Sequence, residues 1–294
     1  MRRSVRRRAR RPPVCTPLRG FLIGCQRDAS TRGNAGSMQT NDMQRRRVLQ
    51  LLGGAGLLAL ASCASKGGTN GSSTPTTGAS PTSSGGSPSG TIPDETAGPF
   101  PGDGSNGANA LGQAGVVRKD IRSSFGSASG TADGVPTAIR FTLTDSTGAP
   151  MKDAAVYVWH CDREGRYSMY SDGVTDQNYL RGVQPTDSGG VVTFTSIYPA
   201  CYSGRWPHVH FEVYPSVADA TASRNVLATS QIALTEDVSD TVYATTGYDQ
   251  SRTNMSQVSL ATDMVFSDGA DLETPTVTGS VEKGYVVSLP VRVA

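Results

Sequence analysis

Between residues 138 and 145, Ile139, Phe141 and Leu143 alternate with Arg140, Thr142 and Thr144. That two-residue period is the mark of a strand with one buried face. Residues 154–160 form a second apolar run, and Asp162 to Gly165 supply turn residues after it. A third run, 191–197, follows the turn Asp187-Ser188-Gly189-Gly190. Further strands are expected over 208–213, 231–234 and 285–293; Pro290 in the last removes a backbone donor and marks an edge or a bulge. No long helical period interrupts the series. Many short strands separated by turn signals predict an all-β domain, a single β-sandwich with long loops.

The chain before residue 93 reads differently. Residues 64–92 are Gly, Ser, Thr and Pro with almost no large apolar side chain, a composition that buries too little surface to fold and is expected to act as a disordered tether. Ahead of it, Arg45-Arg46-Arg47-Val48-Leu49 is a twin-arginine pattern, followed by an apolar stretch, 48–61, broken by Gly53, Gly54 and Gly56. That stretch is short for a bilayer span. It ends in Leu60-Ala61-Ser62-Cys63, which resembles the lipobox of bacterial lipoproteins, where the cysteine carries the lipid. Residues 43–63 are therefore expected to be a twin-arginine lipoprotein signal, with an ordinary signal peptide cut nearby as the alternative. Residues 1–42 match neither signal nor fold, and Met38 or Met43 is a plausible start. The organisation expected is leader, signal, tether, and one β domain over 93–294, exported and either held at the outer face of the cell membrane by its lipid or released.

Charge supports this division. The net charge of +2 conceals 13 of the 27 basic residues within the first 63 positions; the rest of the chain holds 14 basic and 23 acidic residues, a net of −9. An acidic body argues against nucleic-acid binding, whose affinity comes mainly from cationic side chains on phosphates. Of five cysteines, only Cys161 and Cys201 lie in the body. Outside the cytoplasm a bridge between them would persist, stabilising by roughly 4 kcal/mol before strain. A disulfide and two free thiols both stay open.

Chemistry concentrates in Tyr202-Ser203-Gly204-Arg205-Trp206-Pro207-His208-Val209-His210-Phe211. On a strand, residues two apart share a face, so His208 and His210 point together while Val209, Phe211 and Val213 point away. Two of the chain's three histidines form this pair. It is a two-nitrogen platform for a metal, or else a pair on a solvent face. Glu212 shares its face, but no Asp or Glu stands in a zinc-like spacing. The nearby hard donors are phenols, Tyr202 and Tyr167. Phenolate favours a small, highly charged ion such as Fe(III), whose field would bring down the ordinary tyrosine pKa near 10. Tyr157, Tyr170, Tyr179, Tyr198 and Tyr214 are expected to be core residues with satisfied hydroxyls.

Several motifs extend this pattern: Trp159-His160-Cys161-Asp162-Arg163-Glu164-Gly165-Arg166-Tyr167-Ser168, Tyr179-Leu180-Arg181-Gly182-Val183-Gln184-Pro185, Ile197-Tyr198-Pro199-Ala200-Cys201-Tyr202, and Arg205 with the histidine pair. Upstream stand Glu95-Thr96-Ala97-Gly98-Pro99-Phe100 and Val117-Arg118-Lys119-Asp120-Ile121. In this order and spacing they resemble the intradiol ring-cleavage dioxygenases, most closely the extracellular branch similar to the protocatechuate 3,4-dioxygenase β chain. The resemblance implies one non-haem Fe(III) held by Tyr167, Tyr202, His208 and His210, with Tyr202 the phenolate that leaves when substrate binds. It implies that Arg205 faces the substrate ring and that Gln231 lines the pocket. Cys201, just before the axial tyrosine, departs from the pattern; paired with Cys161, it would brace the ligand loop.

The activity implied is cleavage of catechol-type rings by O2 between the two hydroxyl-bearing carbons, giving cis,cis-muconate-type products. The ferric ion would act as a Lewis acid on the bound substrate, and Arg205 would stabilise charge building on the ring. Two rivals are an inactive cell-surface β-sandwich binding module and a zinc hydrolase built on the histidine pair.

Overall fold

The computed structural model describes residues 90–294; the leader, the signal, Cys63 and most of the tether lie outside the described residues. Within them eight strands form two four-stranded sheets. The strands are β1 (Pro136–Thr144), β2 (Ala155–Trp159), β3 (Arg181–Pro185), β4 (Val191–Ile197), β5 (His208–Tyr214), β6 (Ala228–Ala233), β7 (Thr276–Ser280) and β8 (Gly284–Arg292). One sheet has the order β4-β1-β8-β7 and the other β3-β2-β5-β6. Only β1 and β8 run parallel; every other pair is antiparallel. The mostly-strand, two-sheet architecture agrees with the all-β expectation.

Alternation explains the sandwich. Ile139, Phe141 and Leu143 of β1 and Val287, Leu289 and Val291 of β8 are buried facing Val209, Phe211 and Val213 of β5, and Phe141 meets Phe211 at 4.9 Å between ring centroids. β1 and β8 alternate between buried and more exposed positions, whereas β2 and β5 are buried at every position. The second sheet is thus covered on both faces. Its outer face, carrying Ala155, Tyr157 and Trp159, packs under loops that supply Leu111, Val116, Tyr167 and Ala200. That covered outer face is where His208 and His210 point.

Several elements had no sequence signal. β3 begins Arg-Gly and ends in Pro; pairing with β2 creates it, and Gly182 is required because a Cβ there would lie 2.5 Å from Ile121 Cγ2. β7 is a largely exposed strand at one sheet edge. Three short helices, α1 (Val217–Thr221), α2 (Glu236–Tyr243) and α3 (Asp249–Met255), fill connections after β5. Pro290 sits where the pairing of β7 with β8 has ended at Ser288, so its missing donor faces an open edge. Ile92 is already buried, its N–H bonded to Arg292 O at 2.9 Å. Among the described residues no helix is long and apolar enough to cross a membrane.

Candidate metal centre

Three elements bring the expected donors together. His208 and His210 lie on β5, Tyr167 on the loop after β2, and Tyr202 on the loop between β4 and β5. The Tyr167 loop is shaped by Asp162, whose Oδ1 accepts the N–H groups of Glu164 (3.0 Å) and Arg166 (2.9 Å). Its Oδ2 takes Arg166 Nε and the Tyr179 hydroxyl. Gly165 sits at φ +84°, and a Cβ there would approach Tyr202 Cβ to 3.1 Å, so the two tyrosine loops can close on each other because this residue has no side chain.

The Tyr202 loop is held from α3. Ser251 Oγ accepts the Cys201 N–H (3.1 Å), and Asn254 Nδ2 donates to Cys201 O (2.8 Å). The bridge that would have braced this loop is not formed: Cys161 and Cys201 are both free and buried. Each thiol donates to a backbone carbonyl instead, Cys161 to Ala200 and Cys201 to Arg205. Burial pushes both thiols well above their ordinary pKa, which leaves them protonated and unreactive.

At the centre, the hydroxyls of Tyr167 and Tyr202 each stand 3.2 Å from His208 Nε2. The His208 and His210 rings are 4.8 Å apart at 83°. His208 Nδ1 lies 2.6 Å from Trp206 O; that carbonyl can only accept, so Nδ1 carries the proton and Nε2 presents a lone pair toward both phenols. Such fixing of the far ring nitrogen is how metal-binding imidazoles are oriented. His210, the cross-strand partner of Trp159, stacks on its indole at 4.9 Å and 6°. Its Nδ1 is buried without a hydrogen-bond partner.

The electrostatics suit a cation. Burial, with Arg205's charge second, takes the His208 imidazole down to about 3; burial and the neighbouring His208 take His210 well below the ordinary histidine value. Both are therefore neutral nitrogen donors. Burial pushes Tyr202 up to about 12 and, with Tyr202 beside it, Tyr167 well above 10. The phenols stay protonated unless a multivalent ion supplies the opposing field. Two lone-pair nitrogens and two phenol oxygens that need such a field to ionise form a donor set that fits Fe(III).

Arg205 is a buried residue, not a surface ion pair. Its Nε donates to Asp263 Oδ2 (2.9 Å), its Nη2 to Gln231 Oε1 (2.7 Å), and its Nη1 lies 3.5 Å from His208 Nε2. Gln231 reaches the site because it pairs directly with His210 across β5 and β6; its Nε2 donates to Thr96 O. Sequence reasoning missed Asp263, whose carboxylate is fully buried. Burial alone would raise its pKa, but hydrogen bonds from Arg205, Trp206 N–H and Val265 N–H outweigh that and hold it below the ordinary value.

The remaining candidates fall elsewhere. His160 spends both ring nitrogens, on Cys161 O (2.8 Å) and Ser196 Oγ (2.7 Å). Glu212 accepts the Tyr214 hydroxyl. The hydroxyls of Tyr157, Tyr170, Tyr179, Tyr198 and Tyr214 are all hydrogen-bonded; four are buried as expected, whereas Tyr170 is only partly buried. Among the described residues no group of three or more His, Cys, Asp or Glu side chains stands together to hold a metal, so the zinc reading has only the histidine pair there.

Comparison with known proteins gives likenesses in sequence and fold. A family model described as dioxygenase matches residues 118–222, a span containing Tyr167, Tyr202, Arg205, His208 and His210. Over 67 residues the chain is 40% identical to chlorocatechol 1,2-dioxygenase of Rhodococcus opacus, a match covering 22% of this chain and 26% of that protein. The chain therefore matches about a quarter of that curated relative's length. The intradiol ring-cleavage dioxygenase from Tetranychus urticae superposes with a TM-score of 0.56 at 23% identity, covering 69% of this chain and 94% of that one; at that identity the likeness is one of fold. The chain is thus similar over residues 118–222 to the dioxygenase family model, and similar in fold to the Tetranychus urticae enzyme.

Proposed function

We propose that this domain is an Fe(III)-dependent intradiol dioxygenase that cleaves catechol-type aromatics with O2 to cis,cis-muconate-type products. The observation that carries the reading is the convergence of two phenol oxygens on the free nitrogen of His208, 3.2 Å from each, with His210 beside it. Tyr167, Tyr202, His208 and His210 would hold the ion. When bound, it supplies a Lewis acid that makes a chelated catechol reactive toward O2.

The chain's own residues supply the rest. Tyr167 is 1% exposed and locked between Phe100 and the histidines, whereas Tyr202 is half-buried on a loop. That difference supports Tyr202 as the more movable donor, which, once ionised by a bound ion, would take a proton at its oxygen from a substrate hydroxyl. Arg205, held by Asp263 and Gln231, puts a fixed positive charge beside His208 where negative charge develops on the ring, the preorganised arrangement that needs no reorientation during reaction. Phe100, with its ring 4.8 Å from that of Tyr167, keeps water from the phenolate that stays. An inactive binding module has no use for four buried polar side chains and a half-buried tyrosine turned on one point.

We further infer export by a twin-arginine route with lipid anchoring at Cys63, a reading that rests on the sequence pattern. Two buried free thiols fit a protein folded before it meets an oxidising compartment.

The test is loading with ferric ion. A burgundy-brown protein that takes up O2 with catechol and yields the ring-opened dicarboxylate supports the reading. A pale protein that ignores catechol in air ends it.

A further inference from the structure

One row of side chains crosses the outer face of the second sheet. Arg181 of β3 pairs with Trp159 of β2, Trp159 with His210 of β5, and His210 with Gln231 of β6. Directly paired positions put their side chains on one face of a sheet, so Trp159 and His210 stand side by side. Their rings stack at 4.9 Å and 6°, within the separation that aromatic pairs favour. Trp159 also stacks on Tyr157, two residues earlier on β2, at 4.9 Å and 23°. The Tyr157 hydroxyl donates to Pro101 O (2.7 Å) and accepts from Arg181 Nη1 (3.3 Å). The stack is therefore rooted at its far end.

The two histidines are oriented by different means. His208 has its Nδ1 bonded to Trp206 O, whereas Nδ1 of His210 is buried without a hydrogen-bond partner. The last torsion of a histidine side chain is broad, so a ring lacking that bond needs a surface to lie on. The Trp159 indole supplies one. At the ring's edge Gly98 comes so close that a Cβ there would lie 3.3 Å from His210 Cε1. Trp159 is fully buried, and its own Nε1 also lacks a hydrogen-bond partner. Burying a donor unpaired is unfavourable, and a leucine or a phenyl ring at this place would avoid it. The broad flat face that an indole lays on His210 gives a reason for its presence.

From this row of paired positions, the stack and the unpaired nitrogen, we infer that Trp159 is the positioning residue for His210, orienting by ring stacking an imidazole that no hydrogen bond at Nδ1 fixes. The inference rests on the metal-binding reading above and adds a residue on which that site depends. Residues that orient a metal ligand typically change metal affinity by about 10–100-fold when they are lost.

The experiment uses the full chain loaded with ferric ion. Two quantities are read besides activity: the Kd for ferric ion, by competition with nitrilotriacetate, and the visible and EPR spectra of the bound ion. Trp159→Leu and Trp159→Met have no ring face, and each is expected to raise Kd by at least about tenfold and to change the EPR line shape. Trp159→Phe restores a ring and should recover most of that loss. Folded Leu and Met variants that melt below wild type yet keep its Kd and spectra would make Trp159 a core residue alone, overturning the inference and leaving the ferric reading intact. Failure of both to fold overturns it in the same way. A Phe variant that binds no better than Leu removes stacking as the cause and overturns it too. A wild-type chain that takes up no ferric ion ends the metal-binding reading and this inference with it.

Discussion

Asp263→Asn isolates what holds Arg205 in place. The Asp263 carboxylate accepts four N–H groups: Arg205 Nε (2.9 Å) and Trp206 N (2.6 Å) on Oδ2, Val265 N (2.8 Å) and Phe266 N (3.2 Å) on Oδ1. Asparagine can keep its oxygen toward only one of these pairs and must turn its own N–H donors on the other. It also leaves a guanidinium that is only 10% exposed without a counter-charge. Removing one partner of a buried ion pair costs about 3–5 kcal/mol, against a total stability of about 5–15 kcal/mol for a domain. At about 2–4 °C per kcal/mol for a domain of this size, Tm should fall by roughly 6–20 °C. Urea unfolding followed by the fluorescence of Trp159 and Trp206 measures the loss. The double variant Arg205→Met/Asp263→Asn should lose less than Asp263→Asn alone, because removing both charges removes the uncompensated one. A single-variant loss under about 1 kcal/mol, or a double variant worse than the single, would refute the reasoning.

Four further outcomes are expected. Tyr202→Phe should keep the fold and bind iron but lose most turnover and shift the visible band; unchanged activity would contradict its departure and proton acceptance. His210→Ala should be purified without iron, and a full iron content would remove it from the ligand set. Burial, with Glu95 next, raises the Glu273 carboxyl to about 8, so the native state holds a proton that the unfolded chain releases near 4.5; its contribution to stability should then be fully present below pH 4.5 and fall by about 3 kcal/mol by pH 7. The difference between wild type and Glu273→Gln in pH-dependent urea melts isolates that contribution, and a difference of the opposite sign would show the carboxyl to be ionised in the fold. With its signal removed, the domain should present two thiols to a thiol reagent after unfolding without reductant and almost none before; none after unfolding would establish the bridge.

The contrast between Gln231 and Asp263 shows where sequence reading stops. The histidine pair was legible because a period of two is a property of one strand, and Val209, Phe211 and Val213 do turn to the core on the other face. Gln231 lies far from His210 along the chain, yet the two are direct partners once β5 and β6 pair; α1 occupies the intervening connection, and its length says nothing of register. Asp263 sits in an irregular stretch beside a short 3-10 turn, with no period, turn signal or neighbouring ligand to mark it. Only the packed chain brings it to Arg205. β3 stayed hidden for a related reason: Arg-Gly-Val-Gln-Pro has no alternation of its own, and its strand geometry comes from β2 and from Ile121 filling the space above Gly182.

Stability and chemistry are consequently tied through one strand. Every residue of β5 is buried: Val209, Phe211 and Val213 hold the two sheets together, while His208 and His210 project into the site. A one-residue slip of β5 against β2 and β6 would exchange the faces, sending imidazoles into the core and valines to the phenols. The β5–β6 register is secured at Arg205, just before β5: Asp263 fixes its Nε, and Gln231 of β6 accepts from Nη2. The arginine proposed to face the substrate ring therefore also helps keep the histidine pair on its proper face. That dual role accounts for a buried ion pair at a place where apolar packing alone would serve stability as well.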